Sequence, residues 1–116
     1  MRPIVLDQVQ AILNGFAGKS LYLHLETTNG AYAGEGAGQA MAVCAYVRNA
    51  AVQYKQGRIT GAGPYRAGLQ MESGWIYAEG LTDFEVDDQG RLLLAGHDAE
   101  GRLAVALQLG TTPFPL

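Results

Sequence analysis

The chain is poor in the side chains that usually mark chemistry: one cysteine, two histidines and one tryptophan. Cys44 alone cannot close an intrachain disulfide. It sits in the apolar run AMAVCAYV, where a thiol behaves as a small hydrophobe. His24 and His97 could join Glu26 in a zinc set with an open position, but the three lack any local ligand spacing. No metal and no cofactor are therefore expected. A nucleophile elbow is also missing, since Ser73 stands in ESGW and not in G-x-S-x-G. No apolar run approaches the ~20 residues that span a bilayer. The opening MRPIVLDQVQ has no h-region and no cleavage site, so a cytoplasmic protein is expected. Charge is sparse, 16% of residues with a net of −3. The basic residues are scattered, Arg48, Lys55, Arg58 and Arg66 coming nearest to a cluster. That excludes the electrostatic footprint of a nucleic-acid or anionic-membrane binder. The one acidic run, Asp83 to Asp88, reads as a solvated strand entering a turn.

What is present is a core. Hydrophobic residues are 48% of 116, enough for one domain over residues 1–116 that buries roughly 65% of its unfolded surface. A helix comes first. Asp7 is a candidate N-cap with Gln10 completing a capping box, Val9, Ile12, Leu13 and Phe16 make the apolar stripe, and Gly15 and Gly18 end it.

After residue 19 the period falls from 3.6 to 2. SLYLHLETT is a strand, Asn29-Gly30 signals a hairpin, and AYAGE is the returning strand. The run QAMAVCAYVRNAAVQY, 39 to 54, is a longer strand with a bend at Asn49, Ala50 and Ala51. Gln56-Gly57 and Gly61 to Pro64 punctuate the next strand, and Pro64 marks the following one as edge-like or bulged at its start. Further hairpins turn at Glu72-Ser73-Gly74, Asp88-Gln89-Gly90 and Asp98 to Gly101, and the tail GTTPFPL reads as edge or coil. No internal repeat is evident. Short strands with turns every 8–12 residues give the fold class: mainly β, a distorted antiparallel β-sandwich or barrel with one short N-terminal helix. The expected core is Leu21, Leu23, Leu25, Met41, Val43, Val47, Leu69, Leu92, Leu94, Leu103, Val105, Leu107 and Leu109.

The faces opposite that core carry the candidate site. One strand offers Tyr22, His24 and Glu26, and the next offers Cys44, Tyr46 and Arg48. The strand PYRAGLQME offers Arg66, Gly68, Gln70 and Glu72, and GWIYAEGL offers Trp75, Tyr77 and Glu79. If these faces converge, Tyr22, Tyr46, Arg48, Arg66, Trp75, Tyr77 and Glu79 form a recognition surface, aromatics giving area and arginines giving directed hydrogen bonds. If they do not, they are solvated outer faces. His24 and Glu26 are close enough along a strand to meet, and could form an acid–base pair or a structural hydrogen bond. His97, beside Asp98 at a strand end, needs only a turn role. The run Gly34-Glu-Gly36-Ala-Gly38 is a poor phosphate loop, with no following Lys-Ser/Thr and no helix.

The segments HLETT, AYVRNA, GPYRAGL, GWIYAEGLT and LLLAGH together resemble the YojF family, small bacterial proteins of unknown function. The likeness runs over nearly the whole chain; GEGAGQA departs from it. The resemblance implies a distorted β-sandwich with an N-terminal helix, and it carries over no catalytic residues. Family members are often encoded beside an LmbE-type zinc-dependent sugar N-deacetylase used in bacillithiol synthesis. That implies an accessory role, with the deacetylase as partner. Three functions are therefore in view. The first is a non-catalytic accessory or binding module. The second is a small-metabolite binder or enzyme, with His24 and Glu26 as acid–base pair, Arg48 and Arg66 on an anionic group, and Tyr46 and Trp75 lining the pocket. The third is self-association as a structural homodimer.

Overall fold

A computed structural model describes residues 1–28 and 44–116. The elements run β1 (Arg2–Pro3), α1 (Leu6–Phe16), β2 (Leu21–Thr28), β3 (Cys44–Val52), β4 (Gln56–Gly61) and β5 (Tyr65–Gln70). They continue as β6 (Trp75–Leu81), β7 (Asp83–Val86), β8 (Leu92–His97) and β9 (Leu103–Gly110). Two antiparallel sheets result, one ordered β1-β7-β8-β9-β2-β3 and one ordered β4-β5-β6. They pack as a sandwich, not a closed barrel. One core joins them: Leu21, Leu23, Leu92, Leu94, Leu107 and Leu109 from the large sheet meet Ile59, Ala67, Leu69, Ala78 and Leu81 from the small one. Alternation along each strand sends every second side chain into this shared core and the rest to an outer face.

Helix α1 lies against the edge strand β4. Val9 and Leu13 are buried while Ile12 and Phe16 are packed beside them, as the apolar stripe predicts. The start differs from expectation. Val5 is the N-cap with no side-chain cap, and Asp7 lies in the first turn, where a carboxylate complements the helix dipole. Gln10 does other work. Its amide donates to the Gly57 carbonyl at 2.9 Å and accepts from the Ile59 N–H at 3.0 Å. It thereby satisfies the open edge of β4, which would otherwise invite another strand. Gly18 follows the helix with φ +82°, the left-handed position expected of it.

Two core assignments fail. Val47 and Leu103 are 36% and 41% exposed. In Val47 the cause is visible: Asn49 adopts φ +59° within β3, and the β2–β3 register shifts between Leu23 and Leu25. Such a bulge resets which side chains face inward. Leu103 opens β9 where the β8–β9 register shifts between Gly96 and His97. Met41, Val43, the Asn29-Gly30 turn, AYAGE and the glycine run 34–38 lie outside the described residues. Pro64 precedes a bulge between Tyr65 and Arg66, as expected, but β5 is central in its sheet and not an edge.

A repeated turn connects β7 to β8 and β8 to β9. In Asp87-Asp88-Gln89-Gly90-Arg91 the Asp87 carboxylate accepts from the Gln89 and Arg91 N–H groups and from Arg91 Nε. Asp98-Ala99-Glu100-Gly101-Arg102 repeats this pattern, Asp98 accepting from Glu100, Arg102 and Arg102 Nε. The shared signature D-x-x-G-R is legible in the sequence and was missed there. Those backbone and side-chain bonds hold the Asp98 carboxyl below the usual carboxylate range.

Tyr54 fills the space between helix and sheets. It is 1% exposed and its hydroxyl donates to the Leu13 carbonyl. Gly57 is needed beneath it, since a Cβ there would lie 2.9 Å from Tyr54 Cε1. Burial pushes the Tyr54 phenol well above the tyrosine range. Above about pH 10 the unfolded chain gives up this proton and the folded chain keeps it. The folding equilibrium then loses stability as pH rises. Tyr54→Phe is expected to flatten that alkaline decline, read as urea midpoints measured on both sides of about pH 10. Equal slopes in the two proteins would contradict it.

Candidate functional site

The polar faces do not converge. Leu21 and Leu23 point from the large sheet into the shared core, and Ala67 and Leu69 point into it from the small one. The side chains on the opposite faces of these strands therefore look outward on opposite sides of the sandwich. Tyr22, His24, Glu26, Tyr46 and Arg48 belong to one side. Arg66, Trp75, Tyr77 and Glu79 belong to the other.

The chain's own tail closes over His24 in the first group, while Tyr46 stays 63% exposed. His24 is 4% exposed. Its Nε2 donates to Glu26 Oε1 at 3.2 Å, so the expected pair forms. The Tyr46 ring meets the imidazole edge-on at 5.2 Å, and the Phe114 ring lies 6.4 Å away. Asn49 holds Phe114 by both backbone groups, its Nδ2 donating to the carbonyl at 2.8 Å and its Oδ1 accepting the N–H at 2.7 Å. Arg48 donates twice to the Pro115 carbonyl, at 3.0 and 2.6 Å, and Arg91 donates to that of Pro113 at 3.0 Å. Both guanidinium groups also lie over the Phe114 ring, at 5.2 and 4.8 Å.

Arg48 is thus a tail latch, already engaged. With Nε2 on Glu26, the basic nitrogen of His24 is Nδ1, which is buried without a hydrogen-bond partner among the described residues. A general base must reach a substrate proton, and this one faces protein. His97 is held separately, its Nδ1 3.1 Å from Asp83 Oδ2. Among the described residues no three His, Cys, Asp or Glu side chains gather as a metal-ligand set. No helix there is long and apolar enough to cross a membrane.

The second group is open. Trp75 and Tyr77, two residues apart on β6, are 51% and 49% exposed. Their rings stack at 5.4 Å and 5°. Arg66 on β5 lies over the Tyr77 ring at 5.1 Å and donates to Glu79 Oε2 at 3.0 Å. That hydrogen bond and charge pairing hold the Arg66 guanidinium above its usual range. Indole, phenol and guanidinium thus form one continuous stack. Gly68 lets the stack lean onto the sheet: opposite Tyr77 in register, it would place a Cβ 2.9 Å from Tyr77 Cε1 and 3.8 Å from Trp75 Cζ3. On the far side, Gln56, Arg58 and Thr60 of β4 project from the same face. The open groove between them measures about 360 Å3 and is lined by Gln56, Arg58, Thr60, Arg66, Gly68, Trp75 and Tyr77. Sequence reading found the β5 and β6 residues through their alternation. It missed Gln56, Arg58 and Thr60, although they alternate too, because β4 has no aromatic to draw attention to it.

The comparisons agree with this architecture. A model of the family described as protein of unknown function (DUF1806) matches residues 3–114. The uncharacterized protein YojF of Bacillus subtilis strain 168 is 51% identical over 114 residues, 98% of each chain. The crystal structure of the Bacillus subtilis YojF protein superposes with a TM-score of 0.83 at 48% identity, covering 99% of this chain and 97% of that one. Sequence, fold and coverage together make this chain a member of the YojF family, DUF1806, whose function is unknown.

Proposed function

We propose that the protein is a non-catalytic accessory module that binds through the outer face of β4, β5 and β6. The observation that carries this reading is the half-exposed Trp75–Tyr77 stack with Arg66 laid on it. A lone exposed apolar side chain is ordinary on a protein surface. A stacked aromatic pair, backed by an arginine and seated on a glycine, is a surface organised for contact; Trp, Tyr and Arg are the residues that dominate binding hot spots. The opposite face supports the non-catalytic part of the reading, since its histidine is covered and its arginine is engaged with the tail.

The partner we propose is an LmbE-type sugar N-deacetylase, on the strength of the family resemblance. Size-exclusion chromatography of the two proteins together at micromolar concentration is expected to give one co-eluting peak. Trp75→Ala is expected to weaken the complex at least tenfold, about 1.4 kcal/mol. Two independent peaks would remove this partner.

A further inference from the structure

The groove above Gly68 has a composition that specifies more than contact. Its β6 wall is the aromatic stack. Tyr77 is stacked with Trp75 and carries Arg66 over its ring, and the indole is half exposed. The β4 wall is a row of polar side chains at i, i+2 and i+4, spaced about 7 Å apart along the strand. Gln56, Arg58 and Thr60 are all exposed. Among the described residues none of their side chains makes a hydrogen bond or ion pair.

The two arginines of the groove differ. Arg66 is paired with Glu79 at 3.0 Å, whereas Arg58 has no carboxylate partner among the described residues. An uncompensated guanidinium facing an aromatic wall across a bare glycine floor calls for an anion attached to something flat. The volume of about 360 Å3 falls at the small end of the range for small-molecule sites, roughly 300–1,000 Å3.

We propose that this groove binds a small molecule made of one stackable ring, aromatic or sugar, bearing a single anionic group. The ring lies against Trp75, the anion pairs with Arg58, and Gln56 and Thr60 hydrogen-bond the ring substituents. Guanidinium–oxyanion pairs are directional and strong. Ring stacking on an exposed aromatic adds affinity without demanding one particular ring. The proposal rests on the reading of this face as a binding surface, and it names the class of occupant.

Titration calorimetry on the full chain tests it with phenyl phosphate and glucose 6-phosphate, which share an anion and differ in ring. Phenol, glucose and inorganic phosphate are the controls lacking one half. At least one ring phosphate is expected to bind saturably, at least about tenfold more tightly than every control. The stronger of the two identifies the ring type. Because Trp75 is the chain's one tryptophan, its emission reports the same groove without labelling. Arg58→Gln is expected to weaken binding about tenfold or more, Arg58→Lys less, and Trp75→Ala to remove it. Both side chains are surface-exposed, so thermal unfolding of the three variants serves as the folding control.

Absence of saturable binding by both ring phosphates would overturn the proposal, as would binding undiminished in Arg58→Gln. If the deacetylase complex nevertheless forms and is lost in Trp75→Ala, the ligand class falls while the binding-module reading stands.

Discussion

Gly96→Ala is expected to cost about 3 kcal/mol or more, the upper range for forcing an atom into a packed interior. Gly96 lies on β8 of the large sheet and is buried. A Cβ there would stand 1.9 Å from the Gly80 carbonyl oxygen, 2.8 Å from its carbon and 2.8 Å from Val105 Cγ1. The obstruction is backbone, so no rotamer change relieves it. Gly80 belongs to β6 of the small sheet, with φ +81°, and cannot retreat freely. β8 is held between β7 and β9, and β6 is bonded to β5. This glycine contact is where the two sheets approach backbone to backbone. Forcing it apart separates the leucine layers that the sandwich exists to bury. Urea unfolding of the variant should show the midpoint fall, and a loss under about 1 kcal/mol would contradict the described packing.

Phe114→Ala is expected to cost about 3 kcal/mol, the low end for truncating a buried phenylalanine. The ring is 5% exposed although only two residues follow it. It is held by Asn49 through both backbone groups and by two guanidinium groups over its faces. Removing the ring leaves the Asn49 bonds to the backbone in place, but it takes away the surface under the two guanidinium groups and uncovers His24. The expected signature is twofold: a fall in unfolding midpoint, and faster amide exchange in β2 and β3 around His24 and Asn49. A variant as stable as the parent would mean that the tail is not the cover described here.

How much of this was legible beforehand follows from range of interaction. Hairpins between neighbours declare themselves through local turn residues, and β5–β6, β7–β8 and β8–β9 all pair as their turns predict. The alternation in SLYLHLETT correctly separated Leu21 and Leu23 from His24. It could not show that the far side of β2 would be covered, because Phe114 arrives from 90 residues away. The tail, read from its two prolines as edge or coil, gives no local sign of a buried ring. Nor could periodicity survive the Asn49 bulge, which left Val47 exposed. The four polar strand faces shared a composition, and composition carries no information about sheet membership. Placing β4, β5 and β6 in a separate sheet is a tertiary decision, and it divided one expected surface into two, one with its histidine covered by the tail and one open.

The proposed working surface lies over Gly68 and not around His24. Mapping amide and indole N–H shifts during a glucose 6-phosphate titration tests it most directly. The largest shifts are expected on Gln56 to Thr60, Arg66 to Gln70 and the Trp75 indole, while Tyr22 to Glu26 stay still. Shifts centred on His24, Tyr46 and Phe114, with Trp75 unmoved, would contradict it.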